Sequence, residues 1–135
     1  MTITLMKRFR FEAAHFLPRV PEGHPCRRLH GHSYEVEVSV RGDADPETGW
    51  VMDYGDLSRA ARSALEPLDH NLLNAVAGLE NPTSERLAAW IWERLAPALP
   101  GLSLIAIRET CTSRCEYAGP AAAPAEGPDG PARIG

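Results

Sequence analysis

Residues Tyr34-Glu35-Val36-Glu37-Val38-Ser39-Val40-Arg41 alternate apolar and polar side chains without a break. An amphipathic helix would repeat its apolar positions every three or four residues, so this run excludes one. It requires an antiparallel strand with one dry and one wet face. Residues 3–12 carry Ile3, Leu5, Lys7, Phe9 and Phe11 on one face and read as a second strand. The stretch from Gly42 to Gly49 is turn-forming. Asp53 then precedes a helix over roughly 56–66, halted near Pro67. Asn81-Pro82-Thr83-Ser84 opens a second helix through about Leu95, with Leu87, Ala88, Ile91, Trp92 and Leu95 as its apolar face. Pro97 and Pro100 end it, and residues 102–110 and 112–117 read as two more strands.

The order strand, strand, helix, helix, strand, strand predicts an α+β domain: a four-stranded antiparallel sheet with two helices on one face. Residues 1–118 form that domain, large enough to bury a modest core without disulfide staples. Residues 119–135 are almost wholly Ala, Pro, Gly and a few polar residues, and are expected to be a disordered tail. Four strands leave two open edges, which association between copies would cover, so a homo-oligomer is expected.

A net charge of −4 supplies no basic stripe for nucleic acid. No run approaches the roughly 18 apolar residues of a membrane helix, and Lys7 and Arg8 interrupt any early apolar core. These observations predict a cytoplasmic protein with reduced thiols, with no nucleic-acid or membrane partner. Cys111 and Cys115 read as small apolar packing residues.

Chemistry concentrates in Cys26-Arg27-Arg28-Leu29-His30-Gly31-His32. In extended backbone, residues i and i+2 share a face, so His30 and His32 present their imidazoles together. His15 ends the neighbouring strand and supplies a third. Three imidazoles with no fourth protein ligand suit a catalytic zinc site with an open position. Cys26 is then a candidate acid, base or nucleophile, or else a fourth ligand that closes the site. Gly31 removes the side chain between the ligands and would admit close backbone approach. Asp69-His70 is either a carboxylate-oriented proton-transfer pair or a surface helix cap. Glu109 continues the face of Ile105 and Ile107, where its carboxylate needs a donor. Arg108 or a ligand carrying an amidine-like N–H pair would serve. His24 reads as a loop histidine.

Taken together, Phe11-Glu12-Ala13-Ala14-His15, Cys26 to His32, Asp53-Tyr54-Gly55-Asp56-Leu57, Leu68-Asp69-His70-Asn71-Leu72-Leu73-Asn74, Pro82-Thr83-Ser84-Glu85 and Glu109-Thr110 resemble the tunnelling-fold family of 6-pyruvoyl-tetrahydropterin and 6-carboxy-5,6,7,8-tetrahydropterin synthases. The resemblance implies zinc on His15, His30 and His32, Cys26 as the catalytic thiol and Asp69–His70 as the second proton-transfer group. It implies Glu109 as the anchor of the pterin's 2-amino and ring N–H edge. It further implies a trimer or dimer of trimers with sites at subunit interfaces, acting on a pterin triphosphate.

The three-residue spacer between Cys26 and His30 resembles the bacterial carboxy-tetrahydropterin enzymes of queuosine and deazapurine biosynthesis, whereas pyruvoyl synthases typically have a longer one. A branch resembling a dihydroneopterin aldolase substitute carries glutamate near this position, which Cys26 argues against. His24-Pro25 and Arg86 depart from the usual pattern, the first bearing on loop pose and the second on substrate or interface contacts. A non-catalytic zinc-stabilised pterin-binding oligomer is the reading from another class.

Overall fold

A computed structural model describes residues 1–110 and 112–121. The first strand, β1, runs Thr2–His15, and the second, β2, runs His30–Asp43. They pair antiparallel along their whole length, from Thr2 opposite Asp43 to His15 opposite His30. Both strands are longer than the alternation implied. The dry face of β1 continues past Phe9 and Phe11 through Ala13 to His15, all buried.

Helix α1 spans Tyr54–Leu65, and the Asp53 carboxylate accepts the Gly55 N–H at its start. A two-residue strand β3, Asn71–Leu72, follows and pairs parallel with Ala13 and Ala14 of β1. Helix α2 spans Ser84–Leu95, with Thr83 accepting the Arg86 N–H as its cap. Strand β4, Leu102–Arg108, and strand β5, Cys115–Tyr117, complete the sheet.

Among the described residues the strand order is β3-β1-β2-β4-β5. The expected α+β architecture holds, with the strand count corrected to five and the sheet to a mixed one. Two residues are too few for any periodicity to reveal, and β3 forms because the loop after α1 docks on the end of β1. There the His70 N–H donates to the Glu12 carbonyl at 2.5 Å.

The core lies between one sheet face and both helices. Phe9, Phe11, Val36, Val38, Ile105 and Ile107 meet Leu57, Ala61, Leu87, Ile91 and Leu95, each large aliphatic contributing about 1.5–3 kcal/mol by burial. Trp92, on the expected apolar face of α2, is partly buried and stands edge-on to Tyr117, 5.6 Å between ring centroids.

The opposite face is not the wet one expected. Glu37 and Ser39 are buried there. Arg8 from β1 donates to the Glu37 carboxylate at 3.1 Å, Arg114 just before β5 donates to its other oxygen, and Arg108 of β4 lies 3.9 Å away. One carboxylate thus ties three strands and the chain entering β5. Cys115 packs against the core edge, and burial pushes its thiol up from the ordinary value. Cys111 and residues 122–135, which hold most of the expected tail, lie outside the described residues.

Candidate metal and substrate site

The three predicted histidines converge on the core-facing side where β1 ends and β2 begins. His15 sits opposite His30 and Ala13 opposite His32, so the pleat puts all three imidazoles on one face. Their nearest ring nitrogens lie within 4.8 Å of one another. Among the described residues, this is the group with metal-ligand spacing, and the Cys26 thiol is not part of it.

Hydrogen bonding fixes how two of these rings are protonated. His15 Nδ1 lies 2.9 Å from the Pro82 carbonyl, and His30 Nδ1 lies 2.7 Å from the Arg28 carbonyl. A carbonyl only accepts, so each Nδ1 carries the proton and each neutral ring keeps its lone pair on Nε2. Those two Nε2 atoms are 3.0 Å apart. Two lone pairs at that separation repel unless a cation lies between them. Burial pulls the His15 imidazole below its ordinary pKa, against the smaller upward pull of the Pro82 carbonyl and Glu109, so a proton is a poor choice of cation.

His32 Nε2 is buried with no hydrogen-bond partner among the described residues. Zinc–nitrogen bonds of about 2.0–2.1 Å set tetrahedral ligand nitrogens roughly 3.3 Å apart. The 3.0 Å between the His15 and His30 nitrogens, the carbonyl-fixed tautomers and the orphaned His32 nitrogen fit a divalent metal held by three imidazoles, with separations of up to 4.8 Å closing on it.

Glu109, one residue beyond β4, brings its carboxylate to the same place. Its Oε1 stands 3.6 Å from His32 Nε2, beyond hydrogen-bond reach, and its Oε2 accepts the Ser84 hydroxyl at the start of α2. The donor is therefore Ser84 and not Arg108, which turns to Glu37 on the other face. Sequence reasoning placed Ser84 in the helix-opening segment and in the family motif Pro82-Thr83-Ser84-Glu85, with no role at Glu109.

The segment between β1 and β2 is pinned rather than loose. The Cys26 carbonyl accepts the Leu17 N–H at 2.8 Å, and the Cys26 N–H donates to His24 Nδ1 at 3.1 Å. His24, expected to be a plain loop histidine, is thus the cap of the Pro25–Arg27 turn that carries Cys26. Asn74 secures the chain beyond His15 by accepting the Phe16 N–H at 3.0 Å and donating to the Phe16 carbonyl at 2.8 Å. Arg27 donates to the Val20 carbonyl within the same loop.

The structure forms the Asp69–His70 pair, which lies outside the metal-ligand group. Asp69 Oδ1 lies 3.0 Å from His70 Nδ1 and accepts the Glu12 N–H, also at 3.0 Å. That backbone bond first, then His70, holds the Asp69 carboxyl below its ordinary value. His70 has φ +59°, a left-handed conformation that non-glycine residues adopt at a cost. Its imidazole is exposed and borders a cleft of about 570 Å³ with Glu12, Ala14, Gly31, His32 and Asn71. A Cβ on Gly31 would stand 3.4 Å from the Ala13 carbonyl, an ordinary contact, so backbone approach does not demand glycine there. Gly31 instead leaves the cleft floor open.

The sequence pattern described as 6-pyruvoyl tetrahydropterin synthase matches residues 4–120. This chain belongs to that family of enzymes. Within the family, it is 46% identical over 130 residues to the 6-carboxy-5,6,7,8-tetrahydropterin synthase of Synechocystis, covering 89% of this chain and 96% of the relative. The Bacillus subtilis protein of the same name is 32% identical over 125 residues, covering 84% and 83%. A dihydroneopterin monophosphate aldolase of Pyrococcus furiosus is 37% identical over 101 residues, covering 75% and 82%. The structure of Caenorhabditis elegans 6-pyruvoyl tetrahydropterin synthase superposes with a TM-score of 0.83 at 27% identity, covering 89% of this chain and 97% of that one. Among the described residues no helix is long and apolar enough to cross a membrane.

Proposed function

We propose that this chain is a zinc-dependent 6-carboxy-5,6,7,8-tetrahydropterin synthase. It converts 7,8-dihydroneopterin triphosphate to 6-carboxy-tetrahydropterin, acetaldehyde and triphosphate, and serves queuosine or deazapurine synthesis. The observation carrying this reading is the similarity to the Synechocystis relative over nearly both whole chains. The three-residue spacer from Cys26 to His30 agrees with it.

His15, His30 and His32 hold the metal, which when bound supplies a Lewis acid that eases proton removal from the substrate side chain. Glu109 receives the paired N–H groups of the pterin edge, a charge-assisted bidentate contact that orients the ring. Cys26 removes a proton as a base, from a loop pinned at both its N–H and its carbonyl. His70 moves the second proton, with Asp69 fixing its tautomer through Nδ1.

An exposed His70 apart from the imidazole cluster supports a site completed by a neighbouring copy. The β1 edge supports it too, because β3 covers only Ala13 and Ala14 and, among the described residues, the rest of that strand edge is open for pairing. A trimer or dimer of trimers, acting in the cytoplasm, meets both requirements. Residues 1–118 are the functional domain, with 119–135 an appended tail.

The likeness to the Caenorhabditis elegans enzyme favours a 6-pyruvoyl-tetrahydropterin synthase as the second reading. Incubating the zinc-loaded protein with 7,8-dihydroneopterin triphosphate and reading products by mass spectrometry separates them. Carboxy-tetrahydropterin with acetaldehyde is the expected outcome; a pyruvoyl product without acetaldehyde would move the function to the second reading.

A further inference from the structure

Tyr34 lies two residues beyond His32 on the same face of β2, and its side chain is fully buried, 0% exposed. Its ring stacks on Phe11, 4.9 Å between centroids and 10° between planes. His15 and His32 stand edge-on to it at 5.8 and 5.4 Å. The phenol hydroxyl has no hydrogen-bond partner among the described residues. Buried polar groups are nearly always paired, because losing water without replacement is unfavourable. A phenylalanine would keep the stack on Phe11 and carry no such penalty. Packing therefore accounts for the ring and leaves the oxygen unexplained.

The surroundings narrow what the hydroxyl can do. A phenol is a neutral donor at ordinary pH. The antiparallel register pairs Glu35 with Arg108, so one step further along Tyr34 and Glu109 face each other across β2 and the end of β4, on the same side of the sheet. His15 Nε2 and His32 Nε2 are the positions for a metal. Glu109 Oε2 already accepts from Ser84. That leaves Oε1, which has no donor within hydrogen-bond distance among the described residues and lies only 3.6 Å from His32 Nε2. An untethered carboxylate so close to the imidazoles would be drawn toward a cation they hold.

We infer that Tyr34 is a positioning residue whose hydroxyl donates to Glu109 Oε1 when the site fills. With Ser84 it holds the carboxylate in the plane that receives the ligand's paired N–H groups. The inference rests on the pterin-binding reading of Glu109. It is tested on the zinc-loaded full chain with Tyr34→Phe, using neopterin fluorescence quenching for affinity, thermal melting for stability and steady-state kinetics on the triphosphate substrate.

The expected variant keeps about one zinc per chain and melts at the same temperature or higher, since an unpaired buried hydroxyl has been removed. It binds neopterin about tenfold more weakly, and the kinetic loss falls on KM with kcat within about twofold. A lower melting temperature with unchanged affinity would make the hydroxyl structural and overturn the inference. A fall in kcat at unchanged KM would also overturn it, by moving the hydroxyl to the reacting carbons. Absence of neopterin binding by the unaltered protein would overturn the pterin reading itself, a result distinct from either.

Discussion

Replacing Glu37 by glutamine removes one negative charge and almost no volume, which makes it a clean test of the polar face of the sheet. Each carboxylate oxygen serves a different arginine: Oε2 accepts from Arg8 at 3.1 Å and Oε1 from Arg114. A glutamine turns one oxygen into a donor facing a guanidinium and leaves Arg8, Arg108 and Arg114 without their shared counter-charge. Removing one partner of a fully buried ion pair costs about 3–5 kcal/mol. Glu37 meets that condition at 4% exposure. The guanidinium side chains of Arg8, Arg114 and Arg108, at 55%, 30% and 34%, do not. Water screens them, and halving the range gives about 2 kcal/mol.

For a domain of this size that loss lowers Tm by about 8 °C. Urea unfolding at equal protein concentration measures it. Burial alone would raise the Glu37 pKa, but Arg114 and Arg8 outweigh it and hold the carboxyl below its ordinary value. Its stabilisation is therefore complete above the unfolded-state glutamate pKa and is lost as pH falls through the lower folded value. The gap between native protein and Glu37→Gln should be full at pH 7 and shrink below the ordinary glutamate pKa. A difference under about 0.5 kcal/mol at pH 7, no larger than an exposed ion pair supplies, refutes the reasoning. So does a gap that does not change on acidification.

Gly101→Ala places a Cβ 2.5 Å from the Arg41 carbonyl, so one strand must shift; the urea midpoint should report a loss of about 1–3 kcal/mol. Stripping metal with a chelator restores the unshielded pair of imidazole lone pairs. Thermal melting should fall and recover with one equivalent of zinc, by about 2.7 kcal/mol when free zinc is a hundredfold above Kd. Asp69→Asn should lower kcat about a hundredfold with an unchanged circular dichroism spectrum, because His70 loses the negative charge that stabilises its protonated form. Since the Glu12 N–H and His70 keep Asp69 ionised well below neutrality, its titration should leave no limb in the neutral part of the native pH–rate profile.

Local pattern predicted the elements whose side chains answer to a single face. The β2 alternation and the Thr83 cap were readable because each depends on residues a few positions apart. The three histidines were readable for the same reason, two sharing a strand face and the third ending its neighbour. What stayed hidden depends on residues distant in the chain. The burial of Glu37 needs arginines from two other strands and from the residue before β5, and nothing within the run from Tyr34 to Arg41 announces them. Ser84, the donor to Glu109, is 25 residues from it. His24 as the cap of the Cys26 turn is local, yet no general pattern marks histidine there. Position of Asp69–His70 relative to the imidazole cluster depends on how the loop after α1 docks against β1, a tertiary choice that the dipeptide cannot encode.

On the proposed function, three imidazoles alone hold the metal, leaving its remaining position open, while Cys26 acts from outside the ligand set. Zinc content and turnover measured together on Cys26→Ala test this most directly. The variant should keep about one zinc per chain with product formation abolished. Loss of the zinc along with the activity would make Cys26 a fourth ligand and contradict that arrangement.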